Sequence, residues 1–252
     1  ATLNGTATLN GPLQALGTIK LDGNYPTGTD NVALGNEALD SGSLSGGNNT
    51  AIGDNSLSAN TSGANNTAVG ANSLASATTG ANNVSVGYGA ANQTTTGTGL
   101  VSVGYQANRF NTTGIDNVAI GKETLQGVAG NTHNRNVAVG STAGKVITTG
   151  SGNNLIGFGT GVNLTTGNFN TFMGGDMIGV TGSTGQSTTT GSCNVAIGAA
   201  ALRDNTTGSQ NTAVGLQAMA SNTTANHNTA IGHESLNKNT TGCFNQAVGS
   251  FA

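Results

Sequence analysis

Three glutamates are the first candidates for chemistry, because Glu37, Glu123 and Glu234 occupy the same position in a recurring phrase, two residues after a glycine. Hydrolysis of a glycosidic bond needs two carboxyl groups within about 5–10 Å of each other. Many copies of the phrase separate these glutamates, so we expect them to lie too far apart for acid–base work. No Ser, His and Asp arrangement and no phosphate-binding loop accompanies them. We therefore predict that the protein is not an enzyme.

The three histidines are the second candidates, as ligands of a metal ion. His133, His227 and His233 lie in different copies of the phrase and at differing positions within it. The chain also lacks the Gly- and Asp-rich series that binds calcium in some parallel β-helices. We expect no metal site and no cofactor.

The composition excludes several classes of protein. Charged residues make up 7% of the 252 residues, aromatic residues 4%, and 42 residues are Gly. Globular chains usually carry about 25% charged residues. The seven Lys and Arg are scattered and the net charge is −3, which argues against a nucleic-acid partner. No apolar run approaches the ~20 residues of a membrane span, so we predict no membrane insertion by this segment.

The phrase itself is Asn-x-small-aliphatic-Gly, and thirteen copies of it lie between residues 31 and 249. Examples are "NTAIG" at 49–53, "NVAIG" at 117–121 and "NTAVG" at 211–215. Nine of the twelve steps between closing glycines are seventeen residues long. A Thr-Thr or Thr-Ser pair often precedes a second turn, and an apolar residue often follows the closing glycine by four positions. These apolar residues are Leu57, Leu74, Leu125, Leu202, Met219 and Leu236.

Each repeat predicts a short strand, a turn at Gly, a second short segment and another turn, because Gly, Thr and Asn at these positions oppose a helix. Stacked repeats form an all-β, parallel β-solenoid of about 13 coils, with neighbouring coils about 4.8 Å apart. The Asn that opens the phrase would form a column of side-chain amides that holds the coils in register. The candidate register residues are Asn49, Asn66, Asn83, Asn117, Asn136, Asn194, Asn211, Asn228 and Asn245.

The two faces of each strand carry side chains of different size. We expect the aliphatic residues, such as Ile52, Val69 and Ile120, to form the core together with the Leu column. The small residue beside them would then face outward. A long face without charged residues is explained by close packing against another chain, which predicts a homo-oligomer. The candidate contact residues are Ala51, Ala68, Ser85, Ser102, Ala119, Ala138, Ala196, Ala213, Ala230 and Ala247.

The longer strings "NTAIGDNSL", "NTAVGANSL", "NVAIGKETL" and "NTAIGHESL" resemble the repeat of YadA-type trimeric autotransporter adhesin heads. They are also similar to head-like modules of bacteriophage tail fibres. The resemblance covers residues 31–252, and it implies a left-handed parallel β-roll, three chains in a homotrimeric rod, and attachment to surfaces. The seventeen-residue period departs from the family, in which the repeat is shorter.

Two segments depart from the repeat. Residues 1–30 do not follow it and are predicted to form an N-terminal cap or a junction segment, whereas residues 31–252 form the head-type β-roll domain. The step from Gly174 to Gly198 is twenty-four residues long. Loops on rigid scaffolds often carry binding residues, so Asp176, Met177 and Ile178 are the candidate ligand-contact loop. A tolerated insertion without any ligand is the alternative.

The leading functional hypothesis is an extracellular, non-enzymatic trimeric fibre module for surface attachment, at a cell surface or in a virion tail fibre. Its partner would be a host-surface glycan, a matrix component or a cell-surface receptor. One alternative is a purely structural segment of an extracellular filament or sheath. Another is ice or crystal-surface binding through the Thr columns.

Overall fold

A computed structural model describes residues 29–176 and 182–252. The described chain forms thirteen strands of three residues each in one parallel sheet, in which the spatial order follows the sequence order. The strands are β1 (Val32–Leu34), β2 (Thr50–Ile52), β3 (Thr67–Val69), β4 (Val84–Val86), β5 (Val101–Val103), β6 (Val118–Ile120), β7 (Val137–Val139), β8 (Asn154–Ile156), β9 (Thr171–Met173), β10 (Val195–Ile197), β11 (Thr212–Val214), β12 (Thr229–Ile231) and β13 (Gln246–Val248).

The strands pair in the register of the repeat. Ala51 lies opposite Ala68 and Ile52 lies opposite Val69, so equivalent residues of successive repeats stack on each other. The register survives the longest step, where Thr171 of β9 pairs with Val195 of β10. The prediction of an all-β parallel solenoid with a seventeen-residue repeat is therefore confirmed. Residues 1–28 of the predicted cap or junction lie outside the described residues.

The glycine that closes each phrase allows the chain to turn where successive coils come close together. Gly215 has a φ of +132°, and a Cβ built on it would lie 2.4 Å from the carbonyl oxygen of Gly232 in the next coil. No other residue type combines this backbone conformation with so close an approach. The column of closing glycines thus follows from the tight stacking of the coils.

The interior of the solenoid is filled from two sides. The central residue of most strands is Ala or Ser, and Ala51 and Ala68 are fully buried. Leu57 and Leu74, four residues after the closing glycines, are fully buried as well. Five of the six predicted apolar residues (Leu57, Leu74, Leu125, Leu202 and Met219) are completely buried, and Leu236 packs partly buried against the core. The predicted Leu column is confirmed.

The prediction for the aliphatic residue of the strand is wrong. Ile52 and Ile120 are each 39% exposed, whereas their small neighbours point inward. Side chains alternate between the two faces of a strand, so a wrong choice of the inward residue exchanges the whole set. The physical reason for the observed choice is space, because the Leu column already occupies the interior opposite the strand.

The size of the interior side chains is balanced within the coils. Where the Leu column becomes glycine, at Gly144, Gly161 and Gly185, the strands nearby carry Leu155 and Phe172 in place of Ala. A Cβ on Gly185 would lie 2.5 Å from the ring of Phe172. Large and small residues have exchanged positions while the filled volume stays similar, which is the kind of change that a close-packed core tolerates.

Candidate functional site

The asparagine that opens most of the phrases is buried and hydrogen-bonded to the neighbouring coils. Asn66 donates its Nδ2 to Asn49 Oδ1 at 3.1 Å and to the Gly80 carbonyl at 2.9 Å. The backbone N–H of Asn66 also donates to Asn49 Oδ1, at 2.9 Å. Because Oδ1 of Asn66 accepts from the next coil and its Nδ2 donates to the previous one, a slip of one residue would break these bonds.

The side-chain ladder joins the following pairs: Asn49–Asn66, Asn117–Asn136, Asn136–Asn153, Asn153–Asn170, Asn170–Asn194, Asn194–Asn211, Asn211–Asn228 and Asn228–Asn245. Asn83 takes part through its Oδ1, which accepts the backbone N–H of Leu100 at 2.9 Å. Leu100 has no amide to continue the column. The amide-to-amide bonds end at Asn66, to which Asn83 donates only its backbone N–H, and they resume between Asn117 and Asn136. Asn153 and Asn170 extend the predicted set of register residues.

The predicted contact column requires a correction, because its residues face the interior of their own chain. Nine of these side chains are at most 1% exposed: Ala51, Ala68, Ser85, Ser102, Ala119, Ala138, Ala196, Ala213 and Ala230. The tenth, Ala247 in the last coil, is partly exposed. A side chain that is already enclosed cannot pack against a second chain. The small residue is present because the interior has room for nothing larger opposite Leu.

The apolar surface of the molecule is the other side of the same sheet. The first and third residues of every strand, here called the outer sheet face, are partly or fully exposed. Its aliphatic column includes Leu34, Ile52, Val86, Ile120, Val139, Ile156, Met173, Ile197 and Ile231, each between 36% and 48% exposed. Val, Thr and an occasional Asn or Gln form the parallel column at the first strand position. The outer sheet face therefore carries no charged residue from β1 to β13.

Stacked aromatic rings border the outer sheet face on both sides. Tyr88 and Tyr105, each one residue after a closing glycine, stack with their ring centroids 5.7 Å apart. His227 and Phe244, each one residue before the opening Asn, stack at 4.9 Å. Both pairs arise because the repeat places the same position of neighbouring coils on top of each other.

The Thr pairs form a second surface, in the turn that leads to each opening Asn. The hydroxyl of the first Thr is used internally, as when Thr206 Oγ1 donates to the Thr223 carbonyl at 3.0 Å. The second Thr of the pair is exposed, which gives a ridge that we call the threonine ridge. It consists of Thr79, Thr96, Thr113, Thr149, Thr166, Thr190, Thr207, Thr224 and Thr241.

The three equivalent glutamates lie far apart. Glu37 follows β1, Glu123 follows β6 and Glu234 follows β12, so at about 4.8 Å per coil they are separated by roughly 24 and 29 Å. Glu123 instead pairs with Lys145 Nζ at 2.7 Å, and this hydrogen bond lowers the pKa of the Glu123 carboxyl group. Across residues 29–176 and 182–252, no three His, Cys, Asp or Glu side chains group as metal ligands would.

The candidate ligand-contact loop is described only at its start. Asp176 is exposed, whereas Met177 and Ile178 lie outside the described residues. In the described part of the chain, no helix has the length and apolar character needed to cross a membrane.

No protein-family model matches this chain, and neither a curated protein nor a solved structure is significantly similar to it.

Proposed function

We propose that the chain is an extracellular, non-enzymatic fibre module in which three copies pack together through the outer sheet face and present their remaining surface for attachment. The observation that carries this proposal is the uncharged, largely aliphatic face that runs the length of the thirteen-stranded sheet. It replaces the small-residue column as the place where another chain would pack.

The strands of the sheet pair in parallel throughout. All-parallel sheets occur almost only where both of their faces are covered. The inner face here is covered by the Leu column, and the outer one has no cover within the described chain. Twelve strand-to-strand steps of about 4.8 Å and a width of about 10 Å give a face of roughly 600 Å². That is as large as the largest apolar patch on a typical monomer, and it approaches the ~800 Å² that each partner contributes to a stable interface.

The number of chains and the attachment role are supported by the resemblance of the repeat to trimeric adhesin heads and tail-fibre modules. The threonine ridge adds a surface of hydroxyl groups at a regular spacing of about 4.8 Å. Such a surface suits many weak contacts with a glycan or a matrix, which three chains in one fibre would reinforce through avidity.

The assembly is tested by measuring the mass of the intact chain in solution with light scattering. We expect a trimer, and we expect the double variant Ile120→Glu and Ile197→Glu to dissociate, because it would bury two charges against the partner chains. The matched control is Thr113→Glu and Thr190→Glu, which places the same charges on the threonine ridge and should leave the trimer intact. A wild-type chain that is monomeric at micromolar concentration would overturn the proposal.

Attachment is tested separately, by measuring the binding of the trimer to immobilised glycans, matrix proteins and cell surfaces. Binding to one of these classes, and not to uncoated surfaces, is the expected result. A trimer that binds nothing would favour the purely structural filament segment instead. Thermal hysteresis in the same preparation would favour ice binding, and its absence would remove that alternative.

A further inference from the structure

The two coils between residues 100 and 136 differ from the rest of the described solenoid in their interior. Six buried side-chain atoms have no hydrogen-bond partner within residues 29–176 and 182–252, and all six belong to these coils. They are Ser102 Oγ, Asn108 Nδ2 and Oδ1, Asn111 Nδ2, Asn131 Oδ1 and His133 Nε2. Each unpaired buried polar group costs about 1–3 kcal/mol, so their concentration in one place calls for a physical cause.

These residues replace the usual occupants of the interior columns. Asn108 lies where Leu57, Leu74 and Leu125 lie in other coils. His133 lies where other coils have the glycine of the second turn, since the Asn117 amide donates to the His133 carbonyl at 2.8 Å as Asn66 donates to Gly80. The buried apolar residues also divide here into two separate clusters, one ending at Ala91 and the other beginning at Ala107. Apolar packing is therefore interrupted where the polar atoms collect.

The polar atoms lie in adjacent coils. Asn111 and Asn131 form a parallel bridge, and the N–H of Thr112 donates to the Asn131 carbonyl at 3.0 Å. The N–H of Asn108 donates to the Thr124 carbonyl at 2.9 Å, which places Asn108 beneath Leu125. The carbonyl of Leu125 in turn lies close enough to His133 to influence its ring. One stretch of the interior thus contains all of these residues.

The remaining hydrogen bonds fix the role of most of the unpaired atoms. Asn131 Nδ2 donates to the Ile147 carbonyl, so Asn131 Oδ1 is an acceptor. Asn111 Oδ1 accepts from the Gly114 N–H, so Asn111 Nδ2 is a donor. Asn117 Oδ1 accepts from the Asn136 N–H and lies 3.3 Å from His133 Nδ1.

The histidine tautomer considered for the site is the one in which Nδ1 donates to Asn117 Oδ1. With its proton on Nδ1, the His133 ring donates to Asn117 Oδ1, and Nε2 of the neutral ring is then an acceptor. Burial lowers the pKa of His133 to about 4, more than the nearby Leu125 carbonyl raises it, so the ring is neutral near pH 7. The interior therefore offers two acceptors, His133 Nε2 and Asn131 Oδ1, and one donor, Asn111 Nδ2. Asn108 and Ser102 add side chains that can both donate and accept.

We propose that the interior of the coils between residues 100 and 136 is a binding site for ordered water, bound between His133, Asn131, Asn111 and Asn108. Water both donates and accepts two hydrogen bonds, and buried water typically makes about three bonds to polar groups that would otherwise be unpaired. A cation would be opposed by the Asn111 donor, and an anion by the two acceptors. The site does not depend on the proposed assembly or attachment.

The test is a crystal structure of the intact chain at a resolution that shows ordered solvent. We expect density within about 2.7–3.2 Å of Asn111 Nδ2 and of at least one acceptor, His133 Nε2 or Asn131 Oδ1. The variant Asn108→Leu, which restores the residue of the regular coils, should lose at least one of these waters. The control is Asn60→Leu, since Asn60 is fully hydrogen-bonded in its own turn and its loss should leave the waters in place.

Two results of the same experiment would overturn the proposal. One is direct hydrogen bonding among Asn108, Asn111, Asn131 and His133 with no solvent density between them. The other is an anomalous signal at this position in crystals grown with bromide, which would identify an anion. If Asn108→Leu fails to fold, the wild-type density and the bromide data still decide the question.

Discussion

The coils from Asn194 to Asn245, here called the regular region, and the coils from Leu100 to Asn136, here called the irregular region, have the same backbone register but differ in their interiors. In the first region every step of the amide ladder is made by side chains. In the second region Leu100 interrupts the ladder, and six buried polar atoms lack partners in the described chain. Strand pairing is nonetheless continuous through both regions. The backbone bonds and the closing glycines are therefore sufficient for register, and the side-chain network adds stability that varies along the solenoid.

The largest expected effect comes from a closing glycine in the regular region. We expect Gly215→Val to cost at least about 4 kcal/mol in the free energy of unfolding, because it combines backbone strain with a Cβ 2.4 Å from a carbonyl oxygen. Thermal and urea unfolding would measure the change. The control is Gly130→Ala in the irregular region, where φ is +82° and nothing lies within 4 Å of a Cβ, so that about 1–2 kcal/mol is expected. Equal losses of stability in the two variants would show that the close approach of the next coil is not the reason why glycine is required.

The second expected effect is a loss of stability in acid that is caused by one residue of the irregular region, His133. The pKa of His133 falls from 6.5 to about 4 on folding, so the unfolded chain binds more protons between these values. Stability should therefore be fully present above about pH 7 and should fall by roughly 3 kcal/mol as the pH drops toward 4.

The measurement is urea unfolding across this pH range. The variant His133→Asn should flatten the dependence, whereas His227→Asn, at an exposed position, should leave it unchanged. A wild-type profile that matches the His133→Asn profile would contradict the prediction.

The third expected effect compares two asparagines of the ladder. Asn211 makes four side-chain hydrogen bonds, two to Asn194 and Ala225 and two from Asn228. Asn83 makes two, one to the Gly97 carbonyl and one from the Leu100 N–H. At about 1 kcal/mol for each bond, Asn211→Ala should be more destabilising than Asn83→Ala by about 2 kcal/mol. A larger loss at Asn83 would mean that the ladder adds little.

The smallest expected effect is that of repairing the interruption. The variant Leu100→Asn supplies the missing amide between Asn83 and Asn117, but it removes a Leu side chain that is only 1% exposed. Gains of about 1–2 kcal/mol from hydrogen bonds and a loss of about 2 kcal/mol from burial nearly cancel. We expect a change of less than about 1 kcal/mol in urea unfolding. A loss above that size would show that the interruption is needed for packing.

The sequence was sufficient to predict the strand positions, their register, the Asn column and the Leu column, because a fixed period places equivalent residues on top of each other. It did not decide which face of the strand is inside, since "NTAIG" has an apolar residue on either face. A preference for burying Ile over Ala then favoured the wrong face. The deciding signal was present at Gly161 and Gly185, because the coils that lose Leu there gain Leu155 or Phe172 at the central strand position.

Other features depended on details that a pattern does not contain. Asn108 and His133 visibly depart from their columns, yet their burial and the direction of their amide and ring atoms follow only from the three-dimensional contacts. The correct oligomer surface likewise depends on the face that remains exposed, which is why the small-residue column was a wrong candidate.

The direction of the hydrogen bonds between coils has a mechanical consequence. These bonds run along the axis of the stack, so a pulling force on the two ends acts on the coils in series. Under such tension we expect a junction without amide-to-amide bonds to separate early, and Leu100 marks such a place between Asn83 and Asn117. The molecule would thus extend in a defined order, yielding near its middle while the coils on either side stay folded.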